Sequence, residues 1–160
     1  MKRFLAILLT VLLLAAVVPA TSFAAGPVAN GTNPVHQLKR GYTSLNLRTG
    51  AGTSYRSIGY VYRYTPFVVL QKKSSGWYKI RTIQNRVGWI YYKGYCQAKA
   101  YAKVNTRETG LNVRKTPNGT ILGSVPKGKQ VTVTKVNGQW VYLTYGKLKG
   151  WSFWSYLKFI

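Results

Sequence analysis

The stretch Leu45–Gly59, LNLRTGAGTSYRSIG, returns as Leu111–Val125, LNVRKTPNGTILGSV. Both open on one four-residue pattern, Leu45-Asn46-Leu47-Arg48 and Leu111-Asn112-Val113-Arg114. The match continues downstream, where Gly76-Trp77-Tyr78-Lys79-Ile80 aligns with Gln139-Trp140-Val141-Tyr142-Leu143 and Gly88-Trp89-Ile90 aligns with Gly150-Trp151-Ser152. The landmarks lie closer together in the second copy, and such losses fall in loops rather than inside strands. The chain is an internal duplication.

Each copy reads as strands punctuated by turns. Phe67-Val68-Val69-Leu70 and Gln130-Val131-Thr132-Val133-Thr134 are rich in β-branched or aromatic residues, and the second alternates cleanly. Ser74-Ser75-Gly76 and Val136-Asn137-Gly138 are turn sequences, Asn-Gly being a strong hairpin signal. No helical apolar period runs beyond a turn or two. Copies of roughly 55 residues built from short strands predict an all-β chain of two tandem small barrels, because closing the sheet removes edges that so small a unit cannot protect. Leu45, Leu47, Leu111 and Val113 are expected in the cores, with Asn46 and Asn112 bonding to backbone at a strand end.

Ahead of the repeats, Lys2 and Arg3 precede an apolar run, Leu5 to Val18, broken only by Thr10. Ser22-Phe23-Ala24 then places small side chains where a signal peptidase reads them. The run is shorter than the ~20 residues of a membrane span, so a cleaved signal peptide over 1–24 is expected, and with it secretion to the extracellular space or the cell wall. The remaining chain divides into a flexible lead-in (25–40), a first barrel (41–96) and a second (99–160). No later segment is apolar enough to span a bilayer.

The chain holds 24 Lys and Arg against one acid, Glu108, for a net charge of +23 over 160 residues. So lopsided a charge repels itself and points to a polyanionic partner: a wall polymer with phosphodiester links, anionic lipid, or nucleic acid. The competing reading is that the cations only keep an aromatic-rich surface soluble. With 46% hydrophobic and 14% aromatic residues, the chain has the apolar area for cores and is not a disordered polycation. Cys96 is the only cysteine, so no internal disulfide is available, and nothing around it offers metal-ligand spacing.

In combination, Leu-Asn-[Val/Leu]-Arg, Gly-Trp-x-Lys-[Ile/Val] and Gly-Trp-[Val/Ile], as they stand at Leu45, Gly76 and Gly88 and in variant form in the second copy, resemble the bacterial SH3-like (SH3b) domain in two tandem copies. The resemblance implies a small β-barrel of the kind found in exported proteins of Gram-positive bacteria. There it attaches proteins to peptidoglycan and often accompanies a wall hydrolase. Two departures stand out. Ala51 occupies a position where the family favours proline, and the second copy shortens the following loop to Lys115-Thr116-Pro117-Asn118-Gly119-Thr120 without the tyrosine found at Tyr55.

Alternation selects the candidate ligand-binding residues. Trp77 shares a strand face with Lys79 and Arg81, opposite Tyr78 and Ile80. In the second copy Val141 and Leu143 take the core face, so Trp140 and Tyr142 point away. Trp77 and Trp140 are therefore expected as surface platforms unless a neighbouring loop covers them. Trp89 and Trp151 read instead as core-lining. Arg48 and Arg114 lie between core and surface, able to hold the adjoining loop or to face an acidic ligand. Tyr55 and Tyr62 join the candidates because tyrosine offers a flat ring and a hydroxyl at small entropy cost. Tyr60, Tyr62 and Tyr64 are spaced to share one side of a strand, an arrangement more typical of a core.

Catalysis is not expected. A usual glycosidase needs two carboxylic side chains, and the sequence has one. A zinc site needs a cluster of ligands, whereas here there is one His36, one Glu108 and one Cys96. The expectation is a non-catalytic wall-binding protein without metal or cofactor. Its partners would be peptidoglycan and anionic polymers such as teichoic acid, with a separate wall hydrolase as a further one. The alternatives are a basic extracellular protein on nucleic acid or anionic membrane surfaces, or a protein-interaction accessory to a hydrolase. A membrane-active protein should carry an amphipathic helix, and none is visible. Nucleic-acid binding should weaken steeply with salt.

Overall fold

The computed structural model describes residues 33–160, and the segment expected to be a signal peptide lies outside them. Two short strands come first, β1 (Asn33–Pro34) and β2 (Gln37–Leu38). The first five-stranded sheet follows: β3 (Ser44–Arg48), β4 (Ser57–Tyr62), β5 (Phe67–Lys72), β6 (Trp77–Thr82) and β7 (Val87–Tyr91), paired in the order β4-β3-β7-β6-β5. After β8 (Cys96–Gln97) come β9 (Ala100–Val104), β10 (Leu111–Arg114), β11 (Ile121–Val125), β12 (Gln130–Asn137), β13 (Trp140–Tyr145) and β14 (Leu148–Phe153). A 3-10 turn, Trp154–Tyr156, leads into β15 (Leu157–Phe159). The second sheet runs β11-β10-β14-β13-β12-β9-β15, and all of these pairings are antiparallel.

The copies match down to their irregularities. Both β3–β4 and β10–β11 slip register beside the arginine, at Leu47/Arg48 and Val113/Arg114. Both long hairpins bulge at equivalent points, between Val69 and Gln71 and between Val133 and Lys135. The glycine of each Gly-Trp pair has a packing cause. A Cβ on Gly88 would stand 2.7 Å from the Leu47 side chain and 2.9 Å from the Arg48 carbonyl, and one on Gly150 only 2.4 Å from the Arg114 carbonyl. Only a residue without a side chain lets the two strands cross this closely. In the second copy, Asn137 pairs with Trp140 as the last strand residues and Gly138 takes φ 55° in the turn, so the Asn-Gly signal marks a hairpin one residue later than it suggests.

Each barrel has its own core. Leu38, Leu47, Val61, Phe67, Ile80, Ile90 and Cys96 fill the first. Val104, Leu111, Val113, Val125, Val131, Val133, Val141, Leu143 and Leu157 are central to the second. Leu47, Leu111 and Val113 are buried as expected, and Leu45 packs against its core half-buried. Asn46 differs from expectation, accepting a hydrogen bond from the Ser57 hydroxyl rather than bonding to backbone.

The expected flexible lead-in (25–40) needs correction over its described part. Val35, His36, Gln37 and Leu38 are all buried, and Leu38 belongs to the first core. The segment corresponds to β9. As β9 pairs with β12 and β15, so His36 bridges to Phe67 and β2 pairs with β8. The first copy therefore begins before Gly41. The segment also reaches across the molecule: β1 pairs with Lys135 and Val136 of β12, and the Val35 amide donates to the Thr134 carbonyl at 2.9 Å. Gln37, 1% exposed, closes the junction. Its amide donates to the Ile160 carbonyl at 2.8 Å, and its side-chain oxygen accepts from the Tyr101 amide at 3.0 Å. Apolar contact completes the seam, with Val35 and Val68 belonging to the second barrel's core cluster.

His36 lies inside this junction. Its ring stacks on Phe67 at 5.9 Å, meets the Tyr92 ring edge-on, and its Nδ1 shares a 2.8 Å hydrogen bond with the Tyr92 hydroxyl. Burial, and secondarily the Lys72 ammonium, lower its pKa to about 4.

Two outcomes are expected. Gly150→Ala should lower unfolding stability by about 1–3 kcal/mol, read as a reduced urea midpoint. An unchanged midpoint would mean that β10 and β14 part without cost. For His36, the unfolded chain binds the proton first as pH falls from 6.5 toward 4, so the neutral ring's stabilisation is complete above pH 6.5 and lost through that window. The loss is on the order of 3 kcal/mol. Urea melts at pH 7 and pH 4.5 should show that slope in the parent chain and a flatter one in His36→Gln; equal slopes would remove His36 as its source.

Candidate ligand-binding site

The barrel strands turn one face inward and the other outward, and the outward face carries most of the tryptophan. In the second copy Val141 and Leu143 enter the core, so Trp140 and Tyr142 lie on the other side of β13. Their register partners on β14 are Phe153 and Trp151. Trp140 packs on Phe153 with ring centroids 4.3 Å apart, and Tyr142 meets Trp151 edge-on at 5.4 Å. Trp151 is 8% exposed yet belongs to neither core cluster. Trp151 is thus buried as expected, but on the outward side of β14, beside its register partners Tyr142 and Arg114.

Above this aromatic floor opens a cleft of about 1080 Å³. Trp140, Phe153 and Tyr156 supply its rings, while Asn112, Arg114 and Asn118 line it from β10 and the following loop. The loop before β10 contributes Arg107 and Glu108, the chain's single acid. Arg114 donates to the Gly119 carbonyl at 2.8 Å, fixing the loop that carries Asn118. Asn118 adopts φ 59°, a left-handed conformation that asparagine tolerates better than most residues. Tyr142 does not line the cleft and lies under the Lys135 ammonium, 5.5 Å from its ring.

The first copy builds the same framework and fills it differently. Trp77, half-buried, meets its register partner Tyr91 at 5.7 Å. Tyr91 contacts Tyr95 at 6.0 Å, and Tyr95 contacts Tyr42 at 4.8 Å. Four rings thus run in series from Trp77 to Tyr42. Lys79 is half-buried opposite Trp89, and the Lys73 ammonium lies 5.4 Å from the Trp89 ring. Trp89, expected in the core, is half-buried on the outward face, since Gly88 and Ile90 take the core side of β7. Arg48 donates to the Tyr55 carbonyl at 2.8 Å, repeating the role of Arg114.

Three candidates lie apart from this face or at its margin. Arg81 lines a narrow crevice between the barrels with Val68, Val136, Val141, Trp154 and Phe159, its Nε buried without a hydrogen-bond partner. Tyr62 is on β4, an edge strand, 51% exposed beside Tyr60. Tyr60 and Tyr64 are similarly exposed, so this stripe is surface rather than core. Tyr55 is 52% exposed, with its ring against Gly50 and Gly52 at the tip of the loop that Arg48 holds.

Alternation alone did not find Tyr42, Tyr95, Phe153, Tyr156, Arg107 or Asn118 as neighbours of the tryptophans, because they arrive from loops and from distant strands. The repeat contained a usable signal. Aligning the copies on Gly88-Trp89 and Gly150-Trp151 places Tyr91 against Phe153, two aromatics at one strand position.

Among the described residues no group of three or more His, Cys, Asp or Glu could hold a metal ion. Cys96 is buried in the first core, and burial pushes its thiol up to about 12, so it is not a thiolate nucleophile near neutral pH. No helix among these residues is long and apolar enough to cross a membrane.

Among curated proteins none matches the chain. Of solved structures, NlpC2 from Trichomonas vaginalis is similar at 19% identity with a TM-score of 0.44, over 82% of this chain and 50% of that one. NlpC1 from the same organism is similar at 19% identity with a TM-score of 0.42, over 85% and 49%. The chain thus spans about half the length of either. The family model for the bacterial SH3 domain matches twice, over residues 43–97 and 109–158, one match on each barrel. With both copies matched, the chain belongs to the bacterial SH3 domain family.

Proposed function

We propose that this chain is a non-catalytic, exported protein that binds the bacterial cell wall, recognising peptidoglycan through the outward aromatic face of its barrels and gathering onto anionic wall polymer through its charge. The observation that carries this reading is the cleft over Trp140. Its rings offer flat apolar surface to a sugar or an extended peptide. Its asparagines and threonines supply donors and acceptors, and Arg107, Arg114 and Glu108 supply both signs of charge. Such a mixture suits a neutral or zwitterionic chain, such as glycan with attached peptide, better than a uniform polyanion.

The net charge of +23 acts at longer range. It raises the local concentration of an anionic polymer network without choosing a register on it, and salt screens it. Two barrels held in one body let modest contacts reinforce each other when both reach sites on the same wall. The first copy's ring series, Trp77–Tyr91–Tyr95–Tyr42, offers a platform rather than a cleft, so the two copies should contribute unequally.

The test is sedimentation with purified walls, intact or stripped of anionic polymer, across a salt series. The parent chain should stay on stripped peptidoglycan at high salt. Trp140→Ala should lose about 2 kcal/mol, near thirtyfold in affinity, and Trp77→Ala less. Arg107→Ala, at an exposed position, serves as a second cleft variant in case Trp140→Ala unfolds. Retention that disappears with salt, or with removal of the anionic polymer, would make charge the whole mechanism and sink the aromatic site.

A further inference from the structure

The two barrels treat their edge strands differently. In the first, β4 ends the sheet, and an arginine from the turn before β7 closes it off. Arg86 donates to the Ile58 carbonyl at 2.9 Å and to the Tyr60 carbonyl at 3.1 Å. Its guanidinium crosses the backbone so closely that a Cβ on Gly59 would stand 2.4 Å from it. Carbonyls two residues apart point the same way off a strand, so Ile58 and Tyr60 mark the side of β4 that faces away from β3. Arg86 therefore occupies the place that an added strand would take.

β11 is the corresponding strand of the second barrel and ends its sheet in the same way. Gly123 faces Val113 as Gly59 faces Leu47, and Val125 faces Leu111 as Val61 faces Leu45. The carbonyls of Leu122 and Ser124 thus stand where those of Ile58 and Tyr60 do. The residue in the place of Arg86, two before the glycine of the Gly-Trp pair, is Leu148. It reaches the same point, 3.3 Å from where a Gly123 Cβ would be, but has nothing to donate. Among the described residues no side chain hydrogen-bonds to either carbonyl. The strand carries no charged residue, and Ile121 and Leu122 are 47% and 50% exposed. Positive charge surrounds it instead. The Lys115 amide holds the Thr120 carbonyl at one end of β11, Lys127 follows Pro126 at the other, and Lys147 and Lys149 flank Leu148, all of them exposed. The chain's anionic groups lie elsewhere. Glu108 lines the Trp140 cleft, and the Ile160 amide bonds to Tyr101 on β9, which puts the terminal carboxylate at the other end of the strand order.

We propose that β11 is a docking edge for another protein, taking an extended acidic segment of that protein as an added strand. Amides of the segment donate to the Leu122 and Ser124 carbonyls as Arg86 donates to their counterparts in the first barrel. Carbonyls at strand spacing are matched by amides at the same spacing, so backbone is the occupant that fits. Apolar side chains of the segment lie on Ile121 and Leu122, and its carboxylates meet the surrounding lysines. A second copy of this chain fits poorly, because pairing β11 with itself sets lysine against lysine in chains of net charge +23. The edge shares no residue with the Trp140 cleft, so the proposal is independent of what that cleft binds.

The experiment is a titration of the full chain with a short capped peptide alternating valine and glutamate, read by backbone amide shifts and hydrogen exchange. A fully N-methylated version, which keeps the charge and loses the donors, and a version with lysine for glutamate are the comparison probes. On binding the acidic peptide, the Leu122 and Ser124 amides should shift and gain protection. The N-methylated peptide should bind about tenfold more weakly, the loss expected of two hydrogen bonds, and the lysine peptide should not bind. Leu148→Arg, which copies Arg86, should also lose about tenfold, although the added positive charge alone would tighten binding of an acidic peptide. The N-methylated peptide keeps the test decisive if Leu148→Arg is unstable. Trp140→Ala should bind the peptide unchanged while it loses peptidoglycan, so the two readings fail separately. Equal affinity for the methylated and unmethylated peptides, or shifts at the Trp140 cleft rather than along β11, would overturn the proposal. A parent chain that dimerises on sedimentation and is made monomeric by Leu148→Arg would replace the acidic partner with a second copy.

Discussion

The segment from Asn33 to Leu38 ties the molecule together through backbone hydrogen bonds that belong to both barrels. On one side it lies along β12, with the Val35 amide on the Thr134 carbonyl. On the other, His36 and Phe67 exchange amide-to-carbonyl bonds at 2.8 and 2.9 Å, and β2 pairs with β8. A small barrel cannot leave such groups unpaired in its interior, since each buried orphan costs about 1–3 kcal/mol. One short stretch therefore completes the first barrel and occupies an edge of the second. The junction is more than a linker: Gln37 makes a hydrogen-bond acceptor and donor pair with the second barrel, and Val35 and Val68 join that barrel's core.

That constraint organises the surfaces. With the barrels fixed against each other, the outward faces keep their tryptophans on fixed strands and the junction acquires a concavity of its own. The duplicated framework is conservative where backbones touch. Gly88 and Gly150 admit the same close crossing, and Arg48 and Arg114 brace equivalent loops. It is free where side chains meet solvent. There one copy carries a chain of tyrosines and the other an open cleft with the chain's only acid. Duplication preserved the scaffold, and the two outward faces diverged on it.

Legibility followed the range of the interactions involved. Alternation placed Val141 and Leu143 inside and Trp140 outside, because neighbouring positions on a strand must face opposite ways. The same rule misled at Trp89, which is only half-buried, because its inward neighbour is a glycine, Gly88, whose small size hides the core face from a hydrophobicity pattern. His36 and its neighbours read as a lead-in, since a stretch of this length carries no periodicity and its partners, Phe67 and Thr134, are far along the chain. Tyr60 and Tyr62 share the outward side of β4 as spaced, opposite the buried Val61, whereas Tyr64 lies in the turn beyond the strand, which spacing alone did not reveal.

By itself the sequence determined the duplication, the all-β class, the strong positive charge and the family pattern. Each is written in local spacing or composition, where a turn, an alternating strand or a count of cations needs no distant partner. The tertiary structure alone decided that the segment before the first repeat closes the first barrel, that Arg81 turns into the seam, and that residues of both barrels line one groove at the junction. Those facts depend on the register and docking of strands far apart in the chain. That docking is set by the sum of many weak packing and hydrogen-bond terms, and no short stretch of residues encodes such a sum.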